Sequence, residues 1–403
     1  MDLDALTTEV DALLAESDQA LARDYPGERA GRQPVHTLYL PADRFVERSV
    51  HDISREAEQA VFDHAEEFLT ALGGDDDLMA RVLTKLDTEP VEDLRIDFED
   101  RYGDRGDEEE DAAAEAAGLS LGVALEQDEA SPFHGVRIKS FDPDTRSRGL
   151  RTLARFLGAL DRIPEGFVVT LPKVTSVTQV EAMVLTCERF EKELDGRLLF
   201  EVQVETPQSV LGPKGSVLLS RMVRAAEGRL TAFHYGTYDY SAACGIAAGQ
   251  QSLDHPAADH AKAVMQVAAA GTGVRLSDGS TNRLPVGDQI LPAWEEHLRL
   301  VRRSLERGFY QGWDLHPAQL PTRFAATYAF FRDGFDAAAE RLSAYVGKRD
   351  SSILDEPATA RALSDFVVRG LDCGALDEAE VTTATGLETS TLMMLAKRPT
   401  TGE

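Results

Sequence analysis

Eight short stretches with strand character start at His36, Asp93, Gly135, Phe167, Leu198, Leu230, Val274 and Gly312, and helical stretches separate most of them. Helical periodicity fills about Ile53 to Leu72, Glu108 to Leu125, Leu150 to Leu160, Val177 to Leu194, Val217 to Glu227, Ala261 to Ala270 and Pro292 to Arg307. Strand-helix alternation implies a parallel sheet, because parallel neighbours need a crossover. Eight units without a long structureless insertion predict an α/β fold, a (β/α)8 TIM barrel, rather than an open sheet.

Around this barrel, expected over residues 36–345, lie two appendages. Residues 1–35 read as an amphipathic helix from Asp2 to Arg23 followed by a Pro- and Gly-containing linker, Tyr25 to Pro34. Residues 346–403 read as a C-terminal lid and helical tail, with a pair of small helices between Asp377 and Leu395. The acidic run Asp107 to Asp111 is expected to be the solvated start of a helix, where negative charge suits the dipole.

Within the strands, alternation separates two chemistries. Leu94, Ile96 and Phe98 alternate with Arg95, Asp97 and Glu99, and Val136 and Ile138 alternate with Arg137 and Lys139. In a barrel wrapped by helices the apolar set faces out, so acids and bases are expected together inside, where they persist only if paired or metal-bound. In LLFEVQVETPQ, Glu201, Gln203 and Glu205 share one face, and Pro207 ends the strand directly after Glu205. Asp239 follows the end of the next strand. Two carboxylates at successive strand ends suit a hard cation on the C-terminal rim, although strand-end carboxylates also cap helices.

Composition narrows the partners. The formal net charge of −28 opposes binding to nucleic acid or an anionic membrane surface. Cys187, Cys244 and Cys373 are few and widely spaced, giving neither a disulfide framework nor a zinc motif. His234, His255, His260 and His316 lack zinc spacing and read as structural. The acidic start MDLDALTTEVDALL is unlike a signal peptide, and the expected location is the cytoplasm.

An ordered set of motifs adds a resemblance. TLYLPADR from Thr37, RIDFEDRYG from Arg95, GVRIKSF from Gly135, LPKV from Leu171, VETPQSV from Val204, HYGTYDYSAACG from His234 and DLHPAQL from Asp314 resemble the citrate lyase β-subunit-like family. This is the HpcH/HpaI aldolase group, which includes malyl-CoA lyases and is related to malate synthases. SILDEPATARAL from Ser352 is similar to that family's C-terminal lid.

The resemblance implies a Mg²⁺-dependent carbon–carbon lyase, with Mn²⁺ as a substitute, whose metal ligands are Glu205 and Asp239. It implies that Arg137 holds the keto-acid carboxylate and enolate oxygen, that Gly236 and Thr237 line the substrate, and that Asp97, Glu99 and Asp100 hold water and charge around the ion. Lys173 matches the family's Pro-Lys lysine; a Schiff-base role is the lesser reading, because the carboxylates would then have no task. Asp355 matches an acid or base given to a neighbouring subunit. Relatives form trimers or hexamers, so a homo-oligomer is expected, with a keto acid or acyl-CoA substrate. The preferred substrate is a malyl-CoA or citramalyl-CoA type thioester. The rivals are a class II aldolase releasing free pyruvate or glyoxylate, and a non-catalytic barrel acting as a binding or regulatory subunit. Lys139 stands where many relatives have a small polar residue, and Tyr238 directly precedes Asp239. The N-terminal helix and the tail beyond Leu376 have no counterpart in the resemblance.

Overall fold

The computed structural model describes residues 1–347 and 356–397. Eight parallel strands form one sheet: β1 (His36–Pro41), β2 (Asp93–Asp97), β3 (Phe133–Arg137), β4 (Val168–Leu171), β5 (Leu199–Val204), β6 (Leu230–Tyr235), β7 (Arg275–Ser277) and β8 (Gly312–Asp314). Each pairs with its sequence neighbour, and β1 also pairs with β8, with Leu38 opposite Asp314. The last seam closes where Ser277 bridges Gln311 and the Asp278 amide donates to the Gln311 carbonyl at 2.8 Å. The expected TIM barrel is the observed fold.

Local chemistry sets the element ends. Asp75 and Ser176 side chains accept N-terminal amides of the helices Asp76–Thr88 and Val177–Phe190, satisfying donors that a helix start leaves open. After β5, Thr206 caps a single turn opened by Pro207. The outward faces carry the apolar layer: Phe98, Phe156 and Phe167 are fully buried between barrel and helices, with Phe156 stacked on Phe167 at 5.8 Å.

Four expectations change. The run Ile53 to Leu72 is two helices, Ser49–Asp63 and Ala65–Ala71, broken at His64, whose φ of −133° is not helical. Between that pair and β2 stands a further helix, Asp76–Thr88, outside the expected set, although Asp75 and a 3.6-residue apolar period announce it. The start of Asp107–Glu126 is not all solvated: Glu110 is fully buried, 3.1 Å from Lys139 Nζ and 3.3 Å from Arg148 Nε, and Asp111 pairs with Arg148 and Arg151. Lys139 therefore braces the loops after β2 and β3, also donating to the Phe98 and Gly103 carbonyls at 3.0 and 2.9 Å, and does not join the interior charge set.

The segment read as a linker is the fourth. Residues 25–35 cross the N-terminal mouth of the barrel as a strap. The Gly27 amide donates to the Gly271 carbonyl at 2.9 Å, Arg275 Nη2 to the Gly31 carbonyl at 2.7 Å, and Gln33 Nε2 to the Leu276 carbonyl at 2.9 Å. Ahead of it, the helix Leu3–Asp24 buries no residue. The tail helices Glu378–Thr385 and Thr389–Ala396 pack Val381 and Leu392 with Leu342 and Val367 of the helices Leu320–Val346 and Pro357–Asp372. Among the described residues no helix is long and apolar enough to cross a membrane.

Candidate active site

Inside the barrel, charge is layered. Near the strand starts Arg95 is the hub: Nη2 and Nε donate to Glu201 at 2.9 and 3.1 Å, and Nη1 donates to Asp93. Trp313 Nε1 donates to His234 Nδ1 at 3.0 Å, so His234 Nε2 carries the hydrogen that faces Glu201 at 3.1 Å. Burial opposes the Glu201 charge, but Arg95 and His234 outweigh it and hold its carboxyl far below the usual range.

One layer higher, Arg137 lays Nε and Nη2 on Asp97 at 2.6 and 2.8 Å, and its guanidinium sits 4.7 Å from the Tyr39 ring centroid. Asp97 is further fixed by the amides of Glu99 and Arg101, each at 3.0 Å. The edge of Arg137 that remains faces Glu99, with Nη1 at 3.4 Å. Asp97 thus occupies one pair of donors on the fork expected to hold a keto acid, leaving the Nη1 edge.

At the C-terminal rim the balance changes. Lys173 holds a left-handed backbone, φ +53°, uncommon for a side-chain-bearing residue and worth about 1–2 kcal/mol of strain. That conformation aims its amide at Glu205 Oε1 at 2.6 Å, while Nζ donates to Glu99 and to Asp100 Oδ1, the latter at 2.9 Å. Glu205 is 2% exposed and receives no side-chain donor among the described residues. Burial, reinforced by the charges of Glu99 and Asp239, pushes its carboxyl up to about 8. Burial and Asp100 likewise raise Glu99, whereas Asp100, although burial opposes it, is held low by Arg137 and the Glu99 and Lys173 hydrogen bonds.

Asp239 lies in the first turn of the short helix Thr237–Ala243, half-buried, and makes no hydrogen bond or ion pair among the described residues. Gly236 packs against Glu205: a Cβ there would fall 2.6 Å from Glu205 Oε2. The Thr237 hydroxyl donates to the Ser280 carbonyl at 3.3 Å, so it ties the rim to the β7 loop. Asp355 lies outside the described residues.

Glu205 and Asp239 therefore form an acid-rich spot without a matching cation, with Lys173 and Arg137 already committed to other carboxylates. All-oxygen donors fit Mg²⁺, which is usually held by one or two carboxylates and keeps water on its other positions. Consistent with so sparse a set, no group of three or more His, Cys, Asp or Glu forms a complete metal cage among the described residues. The histidines lie elsewhere: His255 and His316 cap their own turns, and His234 belongs to the Arg95 layer.

Two residues of the site, Tyr39 and Arg101, lie outside the sequence expectations, and Gln203, expected on the face of Glu201 and Glu205, joins them. Tyr39, 1% exposed, stacks on Arg137; Gln203 Nε2 lies 3.3 Å from Tyr39 Oη; and Arg101 Nη1 donates to the Tyr39 carbonyl at 3.1 Å. Alternation in TLYLP already places Tyr39 opposite the outward Leu38 and Leu40, which was the available signal. On the same rim a cavity of about 210 Å³ is lined by Tyr39, Arg44, Arg101 and His316.

Comparisons with known proteins agree with this architecture. A family model described as "Domain of unknown function (DUF6986)" matches residues 14–399. No curated protein matches the chain by sequence. Among solved structures, a citrate lyase from Burkholderia xenovorans LB400 superposes with a TM-score of 0.59 at 20% identity, over 89% of this chain and 98% of that one. Protein CitE from Mycobacterium tuberculosis, in complex with magnesium, acetoacetate and coenzyme A, superposes with a TM-score of 0.50 at 18% identity, over 86% and 98%. The resemblance drawn from the motifs thus holds at the level of the fold.

Proposed function

This chain belongs to the DUF6986 family, and from that premise we propose that it is a Mg²⁺-dependent carbon–carbon lyase acting through an enolate. The observation that carries the reading is the buried Glu205 beside the half-buried Asp239 on the C-terminal rim, a pair with no matching cation among the described residues, where barrel enzymes place their chemistry. The ion, when bound, supplies a fixed positive charge where an enolate oxygen develops.

The chain's own groups then divide the work. Glu205 and Asp239 hold the ion, and Glu205 must first release the proton that its surroundings favour. Asp97 and the Tyr39 ring fix the plane of Arg137, whose Nη1 edge meets a substrate carboxylate or carbonyl oxygen. Lys173 holds Glu99 and Asp100 in place, so those acids stay ordered beside the ion although Glu99 also faces Arg137 Nη1 at 3.4 Å. Gly236 gives the Glu205 carboxylate room. Asp355 is the proposed acid or base from a neighbouring subunit of a homo-oligomer.

The preferred substrate is a malyl-CoA or citramalyl-CoA type thioester. The magnesium, acetoacetate and coenzyme A bound by the CitE structure support that choice, as do the motifs. A class II aldolase using free keto acids needs the same rim without coenzyme A.

One experiment separates these readings. The protein is incubated in D₂O with Mg²⁺, and proton NMR follows loss of the methyl signals of pyruvate and of acetyl-CoA, with chelator controls. Chelator-sensitive exchange of acetyl-CoA, with or without glyoxylate, supports the thioester lyase; exchange of pyruvate alone supports the aldolase. Exchange of neither, together with no measurable Mg²⁺ binding, overturns the proposal in favour of a binding or regulatory barrel.

A further inference from the structure

The opposite end of the barrel holds a second charged cavity, of about 200 Å³, between the strand starts and the strap of residues 25–35. Its lining includes four arginines, Arg29, Arg32, Arg95 and Arg275, and two carboxylates, Asp93 and Glu201. An excess of positive charge is unexpected in a chain of net charge −28. Both carboxylates are already taken by Arg95. Arg32 is paired with Glu89, and Arg275 Nη2 donates to the Ala30 and Gly31 carbonyls of the strap.

Arg29 is different. Its guanidinium is half-buried, and Nη2 donates only to the backbone carbonyls of Leu230 and Gly228, at 3.2 and 3.4 Å. It has no carboxylate partner among the described residues. Burial, with Arg197 nearby, lowers its affinity for the proton without bringing it near neutrality. A guanidinium removed from water without a counter-charge is costly, and the hydrogens on Nε and Nη1 have no acceptor among the described residues, so they remain as donors for an oxyanion.

We propose that the strap and the barrel floor form a binding site for a compact dianion, a small phosphate or dicarboxylate, with Arg29 as its principal ligand and Arg275 and Arg32 flanking. Binding would join the strap to the start of β6, because Arg29 already spans from one to the other. The site lies at the opposite end from Glu205 and Asp239 and owes nothing to the reaction proposed there.

The test is isothermal titration of the full chain, free of added divalent metal and at constant ionic strength, with inorganic phosphate in one arm and malonate in the other. The wild type is expected to show one saturable site for at least one of them, and the arm that binds identifies phosphate or dicarboxylate as the source. Arg29→Gln should weaken it by at least about 10-fold, as loss of a charge-assisted hydrogen bond requires. Arg29→Lys, which keeps the charge but not the spread of donors over three nitrogens, should fall between, and Glu205→Gln should bind as wild type. Absence of saturable binding in the wild type, or equal affinity in both Arg29 variants, overturns the site.

Discussion

Two glutamates four residues apart, one on β5 and one directly after it, facing the same interior, live under opposite conditions. Glu201, toward the strap, receives Arg95 through two donors and faces the hydrogen on His234 Nε2; its charge is matched and its carboxyl is held far below the usual range. Glu205, at the rim, receives one backbone amide, has Glu99 and Asp239 as charged neighbours, and is pushed up to about 8. Both are 2% exposed, so burial does not distinguish them; the supply of cations does. The Arg95–Glu201 layer is a matched ion network, and the rim is one cation short. Networks of the first kind give rigidity, whereas a shortfall held in place by a barrel is a place where a ligand belongs.

The largest test of that contrast is Glu201→Ala. It leaves Arg95 buried beside a cavity with only Asp93 for charge balance, and breaking one partner of a buried pair costs roughly 3–5 kcal/mol. Urea unfolding measures it, and a loss below about 1 kcal/mol would mean that the floor network is not what holds the barrel. Glu205→Gln should behave in the opposite way. Metal-free stability near neutral pH should hold, because the amide replaces a carboxyl that its surroundings already keep protonated, while Mg²⁺-dependent enolate exchange should fall by about 10²–10³-fold, comparable to losing one preorganised group at a developing charge. Unchanged exchange would remove Glu205 from the site.

Titration sharpens the contrast next. The Glu205 carboxyl ordinarily ionises near 4.5 in an unfolded chain and near 8 in the folded one. Between those values the folded protein keeps a proton that the unfolded chain has released. This contribution to stability is therefore complete below about 4.5 and is lost as pH rises toward 8, with a slope of at most about 1.4 kcal/mol per pH unit. Thermal melts of wild type against Glu205→Gln isolate the group. The wild type should lose stability relative to the variant across that window, and saturating Mg²⁺ should cancel the difference by replacing the proton. A Glu201→Gln comparison should show no such slope there, since Glu201 is ionised in both states throughout.

Much of this was legible in the sequence because it follows from period and position. Alternation placed Arg95, Glu201 and Glu205 inside and Leu94, Ile96 and Phe98 outside, and Pro207 marked the strand end to within one residue, β5 closing at Val204 with Glu205 directly after it. The eight strand starts fixed the barrel. What could not be read was pairing across distance. Nothing local in Arg137 says that Asp97, 40 residues earlier, takes two of its donors, nor that Lys139 turns to Glu110 and the Phe98 carbonyl. The strap looked like a linker because its bonds are backbone carbonyls accepting from side chains more than 200 residues away, which leave no pattern of their own. Tyr39 was hidden for a different reason: an aromatic in an apolar strand reads as core until Arg137 is found under its face.

The finest test of the contrast is steric. Gly236 follows β6 with an ordinary φ of −98°, so alanine there carries no conformational penalty of the left-handed kind. Its methyl, however, would lie 2.4 Å from Glu205 Cβ and 2.6 Å from Oε2. The carboxylate must therefore turn or shift while the Arg95–Glu201 layer below is untouched. Gly236→Ala should weaken Mg²⁺ binding by about 10-fold, or about 1.4 kcal/mol, with the overpacking cost to stability staying within about 1–3 kcal/mol. Calorimetric Mg²⁺ titration beside a urea melt reads both quantities. Full Mg²⁺ affinity in Gly236→Ala would show that the ion does not depend on where this carboxylate points, and the rim would then lose its claim to be the less satisfied end of β5.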